Sequence, residues 1–575
     1  MTTTATATKT NGAKPSWEEA ARVKREAIFA SLPREYLIPE PLPSPEEQRD
    51  VTGAYAHQFL TQREIEITET DAAGIVAKTT TGEWSAVDVT KAFIHRACMA
   101  HQLLNCLHET DFPSALATAA SLDAHFAEHK KPIGPLHGLP VSLKDQCHMK
   151  GLDTTMGYVG WIGTHEGDPS SPLYRNLESV IVTELRRQGT VLYCKTAVPA
   201  TLMAGETVNH IVGWVRNPKN RLVSCGGSSG GEGALVGFKG SPGSFGTDIG
   251  GSVRIPSAFN GLYGLRPSNG RLPYEGMANS MDGQNTILSV VGPIAGTLAS
   301  TRLLAKAVVD SEPWWEDPLV HEIPWREEQA DAVRRQGKLV FGVLRDDGMV
   351  RLTPPMRRGL EAALEAVKKA GHEVVEWEPP AECAHKHLLE IATQTWSMDG
   401  GDDVIKAFGL SGEPPMPHLL LDVPATPHPE LPASAIAALN VRKRRIQKAY
   451  MDFWSSTAKT TATGRPVDAL LTAPCPHPAS IENQFPYTMY TTFANVLDYT
   501  AVIVPTGVVV DPALDAREGG MQWRSELEQR IHEKAFDPEI QKGAPVAVQI
   551  VGRRLQEERV LAISEIVDEA LKKAS

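Results

Sequence analysis

Residues 177–195 read LESVIVTELRRQGTVLYCK: an amphipathic helical stretch over Leu177–Gln188, a stop at Gly189, and a strand-type run over Thr190–Lys195. The same unit returns at residues 355–377, PMRRGLEAALEAVKKAGHEVVEW, where Gly371 follows the helix and EVVEW supplies the strand. Apolar strand runs also occur at His137–Leu143, Leu339–Leu344, Ala469–Thr472, Ala501–Val509 and Val546–Val551. Strand-type and helix-type periodicities alternate, which is the pattern of a mixed or parallel sheet covered by helices on both faces. The expectation is therefore an α/β fold over residues 131–575, a single large domain around a mixed, twisted central sheet of about ten strands.

The N-terminal part reads differently. Residues 1–15 are small and polar, as in a disordered leader without the apolar core of a secretory signal. Residues 16–130 read as an N-terminal helical extension packed on the core. It includes helices over Trp17–Leu32, Thr68–Lys78 and Ser85–Leu104, with Ser85 as an N-cap and a break at Thr81-Gly82. Pro33–Pro45 reads as an extended strap, and the proline-rich stretch Gly412–Pro432 as an irregular surface excursion. No segment offers the roughly 20 continuous apolar residues of a spanning helix, so the expected location is cytoplasmic.

Composition narrows the function. The chain has 575 residues, 42% of them hydrophobic, and a net charge of −12. A duplex nucleic-acid binder needs a basic face, and an anionic membrane surface attracts basic segments, so neither partner is expected. Seven cysteines without C-x-x-C spacing read as buried free thiols, and the eighteen histidines show no zinc-type spacing. No metal and no cofactor are implied.

One region stands apart. Residues 224–264 read SCGGSSGGEGALVGFKGSPGSFGTDIGGSVRIPSAFNGLYG, dense in glycine yet interleaved with Ile249, Val253, Ile255, Phe259 and Leu262. A flexible linker would lack those apolar residues. A phosphate loop would need G-x-x-x-x-G-K-[ST], which is absent, and neither glycine cluster follows an obvious strand. Acyl transfer is the better reading. Ser252 closes the run Ile249-Gly250-Gly251-Ser252, whose four N–H groups can converge on a developing oxyanion. No G-x-S-x-G elbow frames Ser252, so the α/β-hydrolase pattern is not matched.

GGSSGGEGAL followed by GTDIGGSVRIPSAFNGLYGLRPS, with GPLHGLPVSLKD upstream, closely resembles the amidase signature family. The resemblance runs almost to the end of the chain, through GAPVAVQIVGRRLQEERVLAI, and points to the fungal acetamidase or general-amidase branch; the motifs are also similar to those of fatty acid amide hydrolases. It implies a hydrolase of carboxylic amides with a Ser-Ser-Lys triad and an acyl-enzyme. Ser252 would be the nucleophile, Ser228 the bridge and Lys144 the base. The N–H groups of Ile249, Gly250, Gly251 and Ser252 would form the oxyanion hole, and the backbone carbonyl at Leu202 would accept from the substrate amide. A free lysine is a poor base at neutral pH unless burial lowers its pKa, and the apolar strand ending at Leu143 is a suitable place to bury an amine.

Other polar residues near these motifs have plainer readings. Ser224 and Ser229 suit loop-turning roles, and Asp248 with Arg254 suits an ion pair that fixes the loop. Asp145 either tunes Lys144 or makes a structural hydrogen bond. His137 and His165 read as structural. Two other functions stay open at this point: the catalytic subunit of a tRNA-dependent amidotransferase, and a non-catalytic binding protein on the same fold. The substrate is expected to be a small-molecule amide, whether short aliphatic, fatty acyl, aryl or indole-acetamide, and a homodimer is left open.

Overall fold

The structure, a computed structural model, describes residues 15–417, 419 and 423–574. The expected leader therefore lies, apart from Pro15, outside the described residues. Eleven strands among them form one continuous sheet. In spatial order they are Leu107–Thr110, Val191–Thr196, Pro140–Lys144, Gly243–Asp248, Val290–Ala295, Tyr263–Arg266, Ala501–Val509, Pro545–Val551, Ala469–Thr472, Val340–Leu344 and Glu373–Glu376. Pro140–Lys144 is parallel to both of its neighbours, Val340–Leu344 is likewise parallel to its two neighbours, and the middle of the sheet is antiparallel. This is the mixed α/β sheet expected from the alternation, in one domain.

Helices cover both faces. On one side Phe93, Val141, Leu143, Phe245 and Leu304 share a core. On the other, Ala21 and Ile28 of the helix Trp17–Ala30 pack into the same cluster as Val191, Tyr193 and Phe238. The far half of the sheet is filled by Phe341, Leu360, Leu470, Val502 and Ile550. Pro140–Lys144 is buried along its whole length, as a parallel strand covered on both faces must be. The seven cysteines are all buried and free. No helix among the described residues is long and apolar enough to cross a membrane.

The elements differ from expectation in instructive places. The stretch expected as one helix from Thr68 splits into Gln62–Glu69 and Ala72–Thr79, because Asp71 caps the second helix by accepting from the Gly74 N–H at 2.9 Å. Ser85 does cap Ala86–Leu104, accepting from Asp88. Within the segment read as helical, Leu107–Thr110 pairs antiparallel with Val191–Thr196 and forms a sheet edge. Gly243–Asp248, GSFGTD, has too few apolar residues to read as a strand, yet it is fully buried. Small residues are needed there: a Cβ at Gly246 would sit 2.5 Å from Ser229 Oγ. The second glycine cluster does follow a strand, contrary to the sequence reading. The described residues of the Gly412–Pro432 stretch hold no helix or strand.

Candidate active site

Three sequence motifs converge where parallel strands end. Lys144 closes the strand Pro140–Lys144, and the neighbouring parallel strand Gly243–Asp248 runs straight into Ile249. Ser228 lies in the loop that enters the helix Gly230–Gly237, whose residues pack on both strands. That helix can approach only because it begins with glycine: a Cβ at Gly231 would sit 2.4 Å from the Ala197 nitrogen. The carboxyl ends of the strands in α/β sheets are where such folds place their reactive groups.

Lys144 is completely buried. Its Nζ lies 2.8 Å from Ser228 Oγ and 2.7 Å from Thr247 Oγ1. The Thr247 hydroxyl donates to Gln146 Oε1 at 2.7 Å. The Gln146 amide is oriented by its own donations to the Ala278 carbonyl at 2.7 Å and the Tyr274 hydroxyl at 2.8 Å. A hydroxyl has one proton, and that of Thr247 is spent on Gln146, so Thr247 can only accept from Lys144. A neutral Lys144 therefore has its lone pair free for the proton of Ser228. Burial pushes the Lys144 pKa down to about 7, partly opposed by the acidic groups Cys147, Asp248 and Glu232. The amine is half neutral near neutral pH. Thr247 and Gln146 were missed in the sequence; their signal was position, Gln146 two residues after Lys144 and Thr247 at the head of TDIGGS.

The turn carrying Ser252 is held on every side. Asp248 and Arg254, both fully buried, form a two-point pair with contacts of 2.9 and 3.0 Å, and Arg254 holds the Asp248 carboxyl well below the usual carboxylate range despite its burial. Asn495 bonds both partners, at 2.6 Å to Arg254 and 2.8 Å to Asp248. The Gly251 N–H donates to Asp248 Oδ1 at 2.9 Å, and the Gly250 carbonyl on the same peptide accepts from Thr491 Oγ1 at 2.6 Å. Both ends of that peptide thus have scaffold partners, including the N–H of Gly251, one of the four expected oxyanion donors. Gly251 has φ +134°, and a Cβ there would meet Thr491 Oγ1 at 2.3 Å, so glycine is required. Ser229 braces the turn, its N–H donating to the Ser252 carbonyl at 3.2 Å.

Ser252, Gly250 and Gly227 face a small recess with Leu202, Ile255 and Trp396. The recess shares Leu202, Met203, Trp396 and Thr488 with a cavity of about 440 Å³. Leu202 is nearly buried, and both it and Thr201 adopt left-handed backbone, φ +61° and +74°. Non-glycine residues there cost energy and are held only by their surroundings.

The remaining candidates lie elsewhere. Asp145 pairs with Lys195 at 3.0 Å and His108 at 3.2 Å and accepts from Thr155 and Met156, so it is structural. His137 packs among His125 and Phe126 and accepts from the Ile133 N–H. Ser224 accepts from Gly226. His148, His165 and Glu166 bring ligand-type atoms within 4.8 Å of one another, but none of them lines either cavity at Ser252.

Residues 88–561 match the amidase family, and the chain belongs to it. The acetamidase of Emericella nidulans is 43% identical over 567 residues, covering 97% of this chain and 98% of its own length. The acetamidase of Aspergillus oryzae is 42% identical, covering 97% and 99%. Among solved structures, a fatty acid amide hydrolase superposes with a TM-score of 0.87 at 33% identity, covering 96% of this chain and 95% of that one. The chain is an amide-hydrolysing enzyme similar to these acetamidases.

Proposed function

We propose that this amidase cleaves carboxylic amides to a carboxylic acid and ammonia or an amine through an acyl-enzyme on Ser252. Neutral Lys144 takes the Ser228 proton as Ser228 takes that of Ser252, whose oxygen attacks the substrate carbonyl. The carbonyl oxygen, now negative, is received by backbone N–H groups of the turn. With Gly251 committed to Asp248, Ile249, Gly250 and Ser252 are the donors in this reading. Ser228 then hands its proton to the leaving nitrogen and is reprotonated by Lys144; water repeats the sequence to release the acid. The strained Leu202 carbonyl accepts from the substrate N–H. No step needs a cofactor.

One observation carries this reading: a fully buried lysine with a pKa of about 7, 2.8 Å from Ser228, with an N–H spent on Thr247 and its lone pair left for Ser228. The acyl group would occupy the cavity of about 440 Å³, within the size range of small-molecule sites, so acyl groups well beyond acetyl fit. The cytoplasm is the proposed location. Lys144→Ala should lose more rate on an amide than on the matching activated ester, because an amine must be protonated to leave and an activated alkoxide need not be. Equal losses on both substrates would make Lys144 a structural residue and end the relay proposal.

A further inference from the structure

A second cavity lies away from Ser252. It measures about 730 Å³ and lies between the helix Ala433–Ser456 and the segment 553–559 that leads into the C-terminal helix Glu557–Ala574. Arg326, Lys443, Arg553, Arg554 and Arg559 line it, against the carboxylates of Asp498 and Glu558. In a chain of net charge −12, this is a local reversal of sign. The cation run continues into an adjoining cavity of about 370 Å³, where Arg465 joins Arg553 and Arg559.

Some of these cations are already matched. Arg326 pairs with Glu558 at 2.8 Å, Arg554 with Asp498 at 2.5 Å and Arg559 with Asp468 at 3.4 Å. Lys443 and Arg553 have no carboxylate at ion-pair distance among the described residues. Lys443 is partly buried and donates to the Thr286 carbonyl. Burial lowers its pKa, as does Arg554, with Asp498 acting the other way. A partly buried cation that no carboxylate pairs directly gains from an arriving anion. The rest of the wall is mixed: Ile287, Leu288, Leu497, Tyr499 and Leu555 give it an apolar side, and Gln329, Gln447, Asn495 and Gln556 a polar one. A bare inorganic anion would meet the cations and leave the apolar side empty.

We infer that this cleft is a second ligand site, which binds a small organic anion with a phosphate or carboxylate head on an apolar or aromatic body. The head sits between Lys443 and Arg553, and the body lies on the Leu497–Tyr499 side. Its volume lies in the range of small-molecule sites, its cations outnumber its carboxylates, and arginine suits both head groups. The cleft shares no residue with the recess at Ser252. Its wall does include Asn495, the residue that clamps Asp248 to Arg254.

The test is isothermal titration calorimetry of the full chain with phenyl phosphate, benzoate, inorganic phosphate and the neutral benzyl alcohol. Saturable binding of phenyl phosphate or benzoate with a submillimolar Kd is expected, with inorganic phosphate at least about tenfold weaker and benzyl alcohol weaker still. Phenyl phosphate binding better than benzoate assigns a phosphate head, and the reverse order assigns a carboxylate. Lys443→Ala and Arg553→Ala should each weaken binding about tenfold, while Lys443→Arg should stay within a few-fold. Amide turnover should be unchanged in Lys443→Ala, which also confirms that the variant is folded. No saturable binding of either organic anion up to about 10 mM overturns the inference. So does binding that both alanine substitutions leave intact, which would place the anion elsewhere, including the acyl cavity.

Discussion

Replacing Lys144 by methionine should abolish turnover and at the same time stabilise the protein at neutral pH. Burial lowers the Lys144 pKa from 10.5 to about 7. Each unit is worth about 1.4 kcal/mol, so at and below pH 7 the folded chain carries a cost of about 4 to 5 kcal/mol relative to the amine held neutral. Between the two pKa values the unfolded chain binds a proton that the folded chain does not. Wild-type stability should therefore rise with pH through that window, by about 1.4 kcal/mol per unit. Methionine fills a similar volume and cannot titrate, but it leaves Ser228 and Thr247 without the amine, a loss of about 1 to 3 kcal/mol. The net gain for Lys144→Met is about 1 to 4 kcal/mol near pH 7, and it should shrink and reverse by about pH 10. Urea unfolding of both chains at a series of pH values measures the difference directly, with every other titrating group common to the two. A difference that stays constant from about pH 7 to about pH 10 would mean that Lys144 keeps its charge in the folded protein, and the base assignment would fail.

Three further outcomes follow from the same geometry. The rate constant kcat/KM on an amide should climb with pH along a limb centred near the Lys144 pKa of about 7, since only the neutral amine accepts a proton; a limb at about 10, or no limb, contradicts this. Glu232→Gln should move that limb to lower pH by less than about one unit, because the Glu232 charge raises the Lys144 pKa, and an upward shift would show that Glu232 acts otherwise. Gly251→Ala should cut kcat about a hundredfold or more by driving a Cβ into Thr491, read by steady-state kinetics on protein whose folding is checked by circular dichroism. Near wild-type turnover would show that the turn tolerates displacement.

The strands of the far half of the sheet were legible because each is a run of β-branched and aliphatic residues: Ala469–Thr472 and Ala501–Val509 match the expected bounds. The strand beside the site was not. Gly243–Asp248 has one apolar side chain, Phe245, and needs glycine at 246 because Ser229 presses against it, and hydrophobic periodicity is blind to strands selected for smallness. Leu107–Thr110 was hidden for another reason: four residues, one histidine and one glutamate leave no pattern, and only pairing with Val191–Thr196 makes it a strand. At the site, Lys144, Ser228 and Ser252 could be picked out by their motifs. Their supports could not, since Thr491 and Asn495 reach the Ser252 turn from about 240 residues away in sequence, a distance over which local pattern carries no information. The bond from the Gly251 N–H to Asp248 is also invisible in sequence, because it depends on where the Asp248 carboxylate points.

The most direct test is to trap the acyl-enzyme. The chain is mixed with an activated ester whose acyl group fits the cavity, quenched in acid within the first turnovers, digested and sequenced by mass spectrometry. The account predicts one acyl adduct, on Ser252, absent from Ser252→Ala and formed more slowly in Lys144→Ala. An adduct on Ser228 or on any other residue, or one that persists in Ser252→Ala, would contradict it.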